Sequence, residues 1–145
     1  MEKKLKVFTD GGARGNPGPA AIGFVVKDSL GETIFKKGKY IGEATNNVAE
    51  YRAVIEALKW LKSHLTSHIS HITFFLDSKL IVNQLNGFFK VKEIKMRNLI
   101  IKVRQLEREV GGNVAYQLIP RKKNYLADSL VNQAIDKISK KYRFN

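Results

Sequence analysis

Three runs of β-forming residues, joined by connections too short to hold a helix, precede the first helical period of the chain. Residues 5–10, 20–27 and 33–40 draw on valine, isoleucine, phenylalanine, threonine and tyrosine, and DSLGE at 28–32 supplies a turn between the second and third. Strands connected in this way are antiparallel. From residue 47 the period changes, with Val48, Ala49, Ala53, Val54, Ala57, Leu58 and Leu61 recurring at helical spacing, which predicts a helix over 47–63. Beyond it, 72–76 reads as a strand, 78–85 as a short helix and 97–110 as a longer one. After Gly111 and Gly112, 114–119 reads as a fifth strand and 125–138 as a final helix. Three antiparallel strands followed by βα units predict an α/β fold, a five-stranded mixed sheet flanked by helices.

Within this frame the stretch VFTDGGARGNPGP at 7–19 is the most unusual. Val7, Phe8 and Thr9 lead into Asp10, and Gly11 and Gly12 are expected to end the strand there, carrying a carboxylate to the point where regular structure stops. A surface turn with a solvated aspartate explains Asp-Gly-Gly taken alone. Three more acids fall at comparable places. Glu50 is expected in the first turn of the first helix, just after Thr45, Asn46 and Asn47; Asp77 ends the fourth strand; Asp128 lies near the start of the last helix. Separately, Glu50 fits a capping box on Asn47, Asp77 or Ser78 an ordinary N-cap, and Asp128 the favourable end of a helix dipole. A chain with only 13 acids nevertheless places four of them at strand ends and helix starts, which points to a shared site.

Charge indicates the partner. The net charge is +13, and residues 90–145 hold 14 basic against 5 acidic residues, so a polyanion is expected, bound through phosphate neutralisation and counterion release. With 145 residues, 43% of them hydrophobic, one domain with a proper core is expected over 1–145. The chain has no cysteine for a disulfide or a thiolate metal site, and neither a signal-peptide pattern nor an apolar run long enough for a membrane span. A soluble, cytoplasmic protein is the expectation.

Read in order, FTDGGARGNPGPAAIGFVV, TNNVAEYRAVIEAL, FFLDSKLIVNQLNG and PRKKNYLADSLVNQAID resemble the type 1 ribonuclease H family over nearly the whole chain. The resemblance implies an endonuclease that cuts the RNA strand of RNA–DNA hybrids, independently of sequence, with divalent metal. It places the catalytic and metal-binding carboxylates at Asp10, Glu50, Asp77 and Asp128: Asp10 bridging two Mg2+ ions, Glu50 and Asp77 on the ion at the leaving group, Asp128 with the ion that activates water. Mn2+ is a possible substitute. Carboxylates suit this chemistry because magnesium takes oxygen donors, keeps several waters and needs only one or two protein carboxylates beside phosphate oxygens. Asn16, Thr45, Asn46 and Asn47 are expected to bind substrate, the asparagines on the RNA strand, where 2′-hydroxyls line a shallow minor groove. A monomer without an obligate protein partner is expected.

The chain departs from some family members in two places. A long basic protrusion with tryptophans is replaced by the short NGFFKVKEIKMRN, where Lys90, Lys92, Lys95 and Arg97 offer a reduced substitute. A loop histidine before the last carboxylate is missing from QLIPRKK, leaving Arg121 as the candidate replacement. Two other readings fail on the residues. His64, His68 and His71 lack an acid or cysteine to complete a zinc site, and glycines 11–18 open into a strand without the Gly-Lys-Ser/Thr ending of a phosphate loop. A catalytically silent hybrid-binding protein of the same fold is the alternative that intact carboxylates argue against. A related nuclease acting on DNA is disfavoured by the Thr45-Asn46-Asn47 segment.

Overall fold

Alternation in Leu5, Val7 and Thr9 buries three side chains on one face of strand β1 (Lys3–Ala13) and turns Lys4, Lys6 and Phe8 to the other. In the computed structural model, which describes residues 3–65, 69–111 and 113–141, β1 is the middle strand of a single sheet. Antiparallel pairing joins it to β2 (Gly18–Lys27), which pairs in turn with β3 (Thr33–Ala44). On its other side β1 runs parallel to β4 (Ile69–Leu76), and β4 parallel to β5 (Asn113–Leu118), giving the order β3-β2-β1-β4-β5. The mixed five-stranded sheet is the one the sequence predicts. No helix among the described residues is long and apolar enough to cross a membrane.

Helix α1 (Asn46–His64) covers β1 and β2 on one face, with nine buried residues from Val48 to Leu61 forming the heart of the main core. Its N-cap is Thr45, whose Oγ1 accepts from the Val48 amide at 3.3 Å. Short helix α2 (Lys79–Leu85) starts at Ser78, and α3 (Ile94–Val110) packs against α1 through Met96, Val103 and Leu106. A 3-10 turn, Arg121–Asn124, leads into α4 (Tyr125–Lys141), which crosses the opposite face over β1, β2 and β3. There Ala21, Val131 and Ile135 form a second, smaller core. Close packing of α4 depends on bare backbone beneath it: a Cβ on Gly23 would stand 2.5 Å from the Ala127 carbonyl oxygen, and one on Gly38 2.7 Å from that of Leu130.

Several expected boundaries move. Gly11 and Gly12 do not end β1; both remain paired with β2, and the strand continues to Ala13. The third strand runs on to Ala44 because Gly42, at φ 84°, lies at a bulge where the register steps from Ala20–Gly42 to Ala21–Tyr40. Helix α3 begins at Ile94, so Lys95 lies in its first turn instead of in a loop; its cap residue, Glu93, makes no side-chain bond, leaving no capping signal to read. Of the three histidines, His64 closes α1 stacked on Trp60 at 4.8 Å and His71 lies in β4, while His68 falls outside the described residues.

Candidate active site

The parallel ladder of β1 and β4 ends with Phe8 opposite Phe75, and each strand direction then carries an aspartate two residues further on, Asp10 and Asp77. Glu50 reaches the same place because β1 and α1 touch at the backbone. A Cβ on Gly11 would stand 2.3 Å from the Ala49 carbonyl atoms and 2.5 Å from the Glu50 nitrogen, so only glycine allows this approach. Glu50 lies in the second turn of α1, not the first, since the cap is Thr45; a capping box on Asn47 is thereby ruled out. Asp128 arrives from the other face in the first turn of α4, beside Gly12, whose own Cβ position is 3.6 Å from Val131. All four carboxylates line one open cleft of roughly 370 Å³, together with Asn46 and Arg121.

Crowding like charges in a half-buried cleft raises their proton affinity. Burial, followed by the charges of Asp77, Asp128 and Glu50, pushes Asp10 up to about 8. Burial and then Asp77 push Glu50 up to about 7, against the opposing effects of the Ser78 hydroxyl and Arg121. None of the four makes an ion pair with a basic side chain within 4.0 Å among the described residues. This donor set fits a hard divalent cation, whose charge would relieve the repulsion and whose ligands are oxygens.

The amide residues stitch the rim of the cleft. Asn16 Oδ1 accepts from the Asn46 backbone at 2.9 Å, and Asn46 Oδ1 accepts from the Ala13 amide at 2.9 Å, tying the β1–β2 turn to the start of α1. The Nδ2 donors of both make no hydrogen bond among the described residues, and Asn47 is exposed beside them. Lys90, Lys92 and Lys95 do not line the cleft; they are exposed between and on α2 and α3, on the flank that also exposes Phe88 and Phe89. Sequence reasoning misses Asn124. It is buried, and its Nδ2 donates to the Thr9 carbonyl and to Asp77 Oδ2, both at 2.8 Å. Its position one helical turn before Asp128 is the available signal.

A family model described as reverse transcriptase-like matches residues 8–134. LC11-RNase H1, isolated from compost by a metagenomic approach, is 46% identical, with a TM-score of 0.88 over 93% of this chain and 97% of that one. The chain belongs to the type 1 ribonuclease H family. This ribonuclease H family depends generally on divalent metal. RNase H1 from the archaeon Halobacterium salinarum has a TM-score of 0.85 at 34% identity, covering 92% of this chain and 98% of that one. A curated relative, the bifunctional protein Rv2228c of Mycobacterium tuberculosis, is 38% identical over 134 residues. That match takes in 92% of this chain but 36% of the relative, so the chain spans about a third of the first curated relatives it matches.

Proposed function

We propose that the chain is an endonuclease that hydrolyses the RNA strand of RNA–DNA hybrids independently of sequence, with two Mg2+ ions for which Mn2+ can substitute. The observation that carries this reading is the meeting of Asp10, Glu50, Asp77 and Asp128, from four separate elements, in one cleft of a strongly basic protein. LC11-RNase H1, with 46% identity to this chain, has been solved in complex with RNA/DNA hybrid. When bound, divalent ions supply Lewis-acid charge neutralisation and a water of lowered pKa for in-line attack on phosphorus.

The chain's own groups divide the remaining work. Asp10 stands among the charges of Asp77, Asp128 and Glu50, so these four carboxylates would together hold the divalent ions, which would neutralise charge at the scissile phosphate. Asn16, Asn46 and Asn47, presented beside the Thr45 cap, offer amide donors to 2′-hydroxyls and base edges of a wide minor groove. Arg121 faces the cleft and meets phosphate, while Lys90, Lys92 and Lys95 neutralise phosphates further along the duplex. All four carboxylates come from one chain, so this reading needs only a monomer.

Labelled hybrid, duplex DNA and duplex RNA, each offered with Mg2+, Mn2+ or chelator, test the reading. Metal-dependent cutting of the RNA strand alone is expected, stopping within any run of deoxyribonucleotides placed in that strand. Hybrid bound but never cut would make the chain a binding protein, and equal cutting of duplex DNA would make it a DNA nuclease.

A further inference from the structure

We infer that Asn124 is a positioning residue for Asp77, fixing which carboxylate oxygen faces the cleft and how the end of β4 stands relative to β1. Its side-chain amide spends both hydrogens on two acceptors, the Thr9 carbonyl and Asp77 Oδ2, each at 2.8 Å. Neither acceptor can donate, so the amide has only one workable orientation, nitrogen toward both. Thr9 immediately precedes Asp10, and Asp77 immediately follows β4. One side chain therefore fastens the backbone beside the first carboxylate to the second carboxylate itself. With Oδ2 engaged, Asp77 is left to present Oδ1.

A purely architectural role does not account for the other half of the amide. Asn124 is 1% exposed, yet its Oδ1 has no hydrogen-bond partner among the described residues, and neither does Thr9 Oγ1. A buried acceptor without a partner is destabilising, and an apolar group of the same shape would avoid that penalty. Asparagine at this position thus serves the two hydrogen bonds of its Nδ2, to Asp77 and to the Thr9 carbonyl, more than the packing. Side chains that orient metal-binding carboxylates commonly change metal affinity or activity by about 10–100-fold when removed.

This inference rests on the proposed metal-dependent cleavage, so its test reads metal binding separately. Asn124→Ala and the near-isosteric Asn124→Leu would be compared with the wild-type chain by NMR titration with Mg2+ without hybrid, by kcat and KM on hybrid, and by melting in chelator. Both variants should need about tenfold more Mg2+ for half-saturation and lose kcat with KM unchanged. Both variants should melt lower than wild type in chelator, since each leaves the buried Thr9 carbonyl without its Nδ2 partner. Wild-type Mg2+ affinity and kcat in these variants, with only a lowered melting temperature, would overturn the inference. If neither variant folds, the wild-type protein decides: the Asn124 amide protons should exchange slowly and shift in step with Mg2+ saturation, and an amide indifferent to Mg2+ would refute the role. A wild-type chain that fails to cut hybrid would remove the proposed function, while the Mg2+ titrations would still report on Asn124.

Discussion

Phe8 and Phe75 close the parallel ladder of β1 and β4 with rings stacked 4.9 Å apart, and the next side chains on the same faces of these two chain segments are Asp10 and Asp77. The stack fixes the spacing from which the two acids project. Asp10→Asn and Asp77→Asn keep side-chain volume and lose anionic ligation, so each should reduce hybrid cleavage to background while hybrid binding persists. The gain in melting temperature on adding Mg2+ should vanish with it, because a ligand stabilises only what it binds. Full cleavage by Asp10→Asn would remove the site.

Metal-free stability should fall as pH rises. Asp10 and Glu50 are pushed up from 3.8 and 4.5 to about 8 and about 7, so the folded chain holds protons that the unfolded chain has already released. Stability contributed by these groups is therefore lost progressively from about pH 4 to about pH 8 and is level beyond it. Thermal melts in chelator should show this slope, and saturating Mg2+ should flatten it. Asp10→Asn should be shallower than wild type in chelator; equal slopes would contradict the assignment.

Gly11→Ala places a methyl group where the Ala49 carbonyl and Glu50 nitrogen already stand. Neither backbone can yield without moving the start of α1, and overpacking of this kind costs about 1–3 kcal/mol. Glu50 would shift with the helix, so residual folded protein should cut hybrid poorly despite four intact carboxylates. Calorimetry and turnover on the same preparation would check both effects.

Lys90, Lys92 and Lys95 are exposed and away from the cleft, so any contribution to binding is through phosphate charge. Replacing all three with alanine should weaken hybrid binding and flatten the log–log salt dependence by about 0.7–0.9 for each phosphate that is no longer neutralised. Cleavage at saturating hybrid should change little. An unaltered slope would return these lysines to the solvated surface.

Asn46→Ala should act twice. Its Oδ1 holds the Ala13 amide, and losing one such bond costs about 0.5–1.5 kcal/mol of stability. Its Nδ2 is assigned to the hybrid, so the variant should also lose more affinity for hybrid than for duplex DNA. Equal losses on both substrates would confine Asn46 to its structural bond.

The sheet order is legible because hydrophobic period changes at residue 47 and short connections dictate antiparallel pairing at the start. The four carboxylates are legible from the order of four motifs that resemble the type 1 ribonuclease H family; taken singly, each has an ordinary turn or capping explanation. What escapes is set by packing between distant segments. Gly11 and Gly12 look like strand breakers in one dimension, whereas Gly11 is required by a helix backbone 38 residues later in the chain, at Ala49. Glu50 looks like a capping residue because the true cap, Thr45, sits only two positions before Asn47. Asn124 carries only its spacing from Asp128 as a local signal, since its two acceptors, the Thr9 carbonyl in β1 and Asp77 just after β4, are distant in sequence.

Helix α4 is fastened to the sheet by the small core of Ala21, Val131 and Ile135, separate from the main core under α1. Partial opening in proteins follows such divisions, with segments that bury less apolar surface exchanging their amides at lower free energy. Lifting α4 would take away Asp128 and the Val131 and Ile135 wall of the cleft while leaving Asp10, Glu50 and Asp77 on an intact scaffold. If α4 opens as a unit ahead of the main core, hybrid cleavage by a warmed sample should fall before its β-sheet signal does, and coincident loss of the two would place α4 in the same cooperative unit as the sheet.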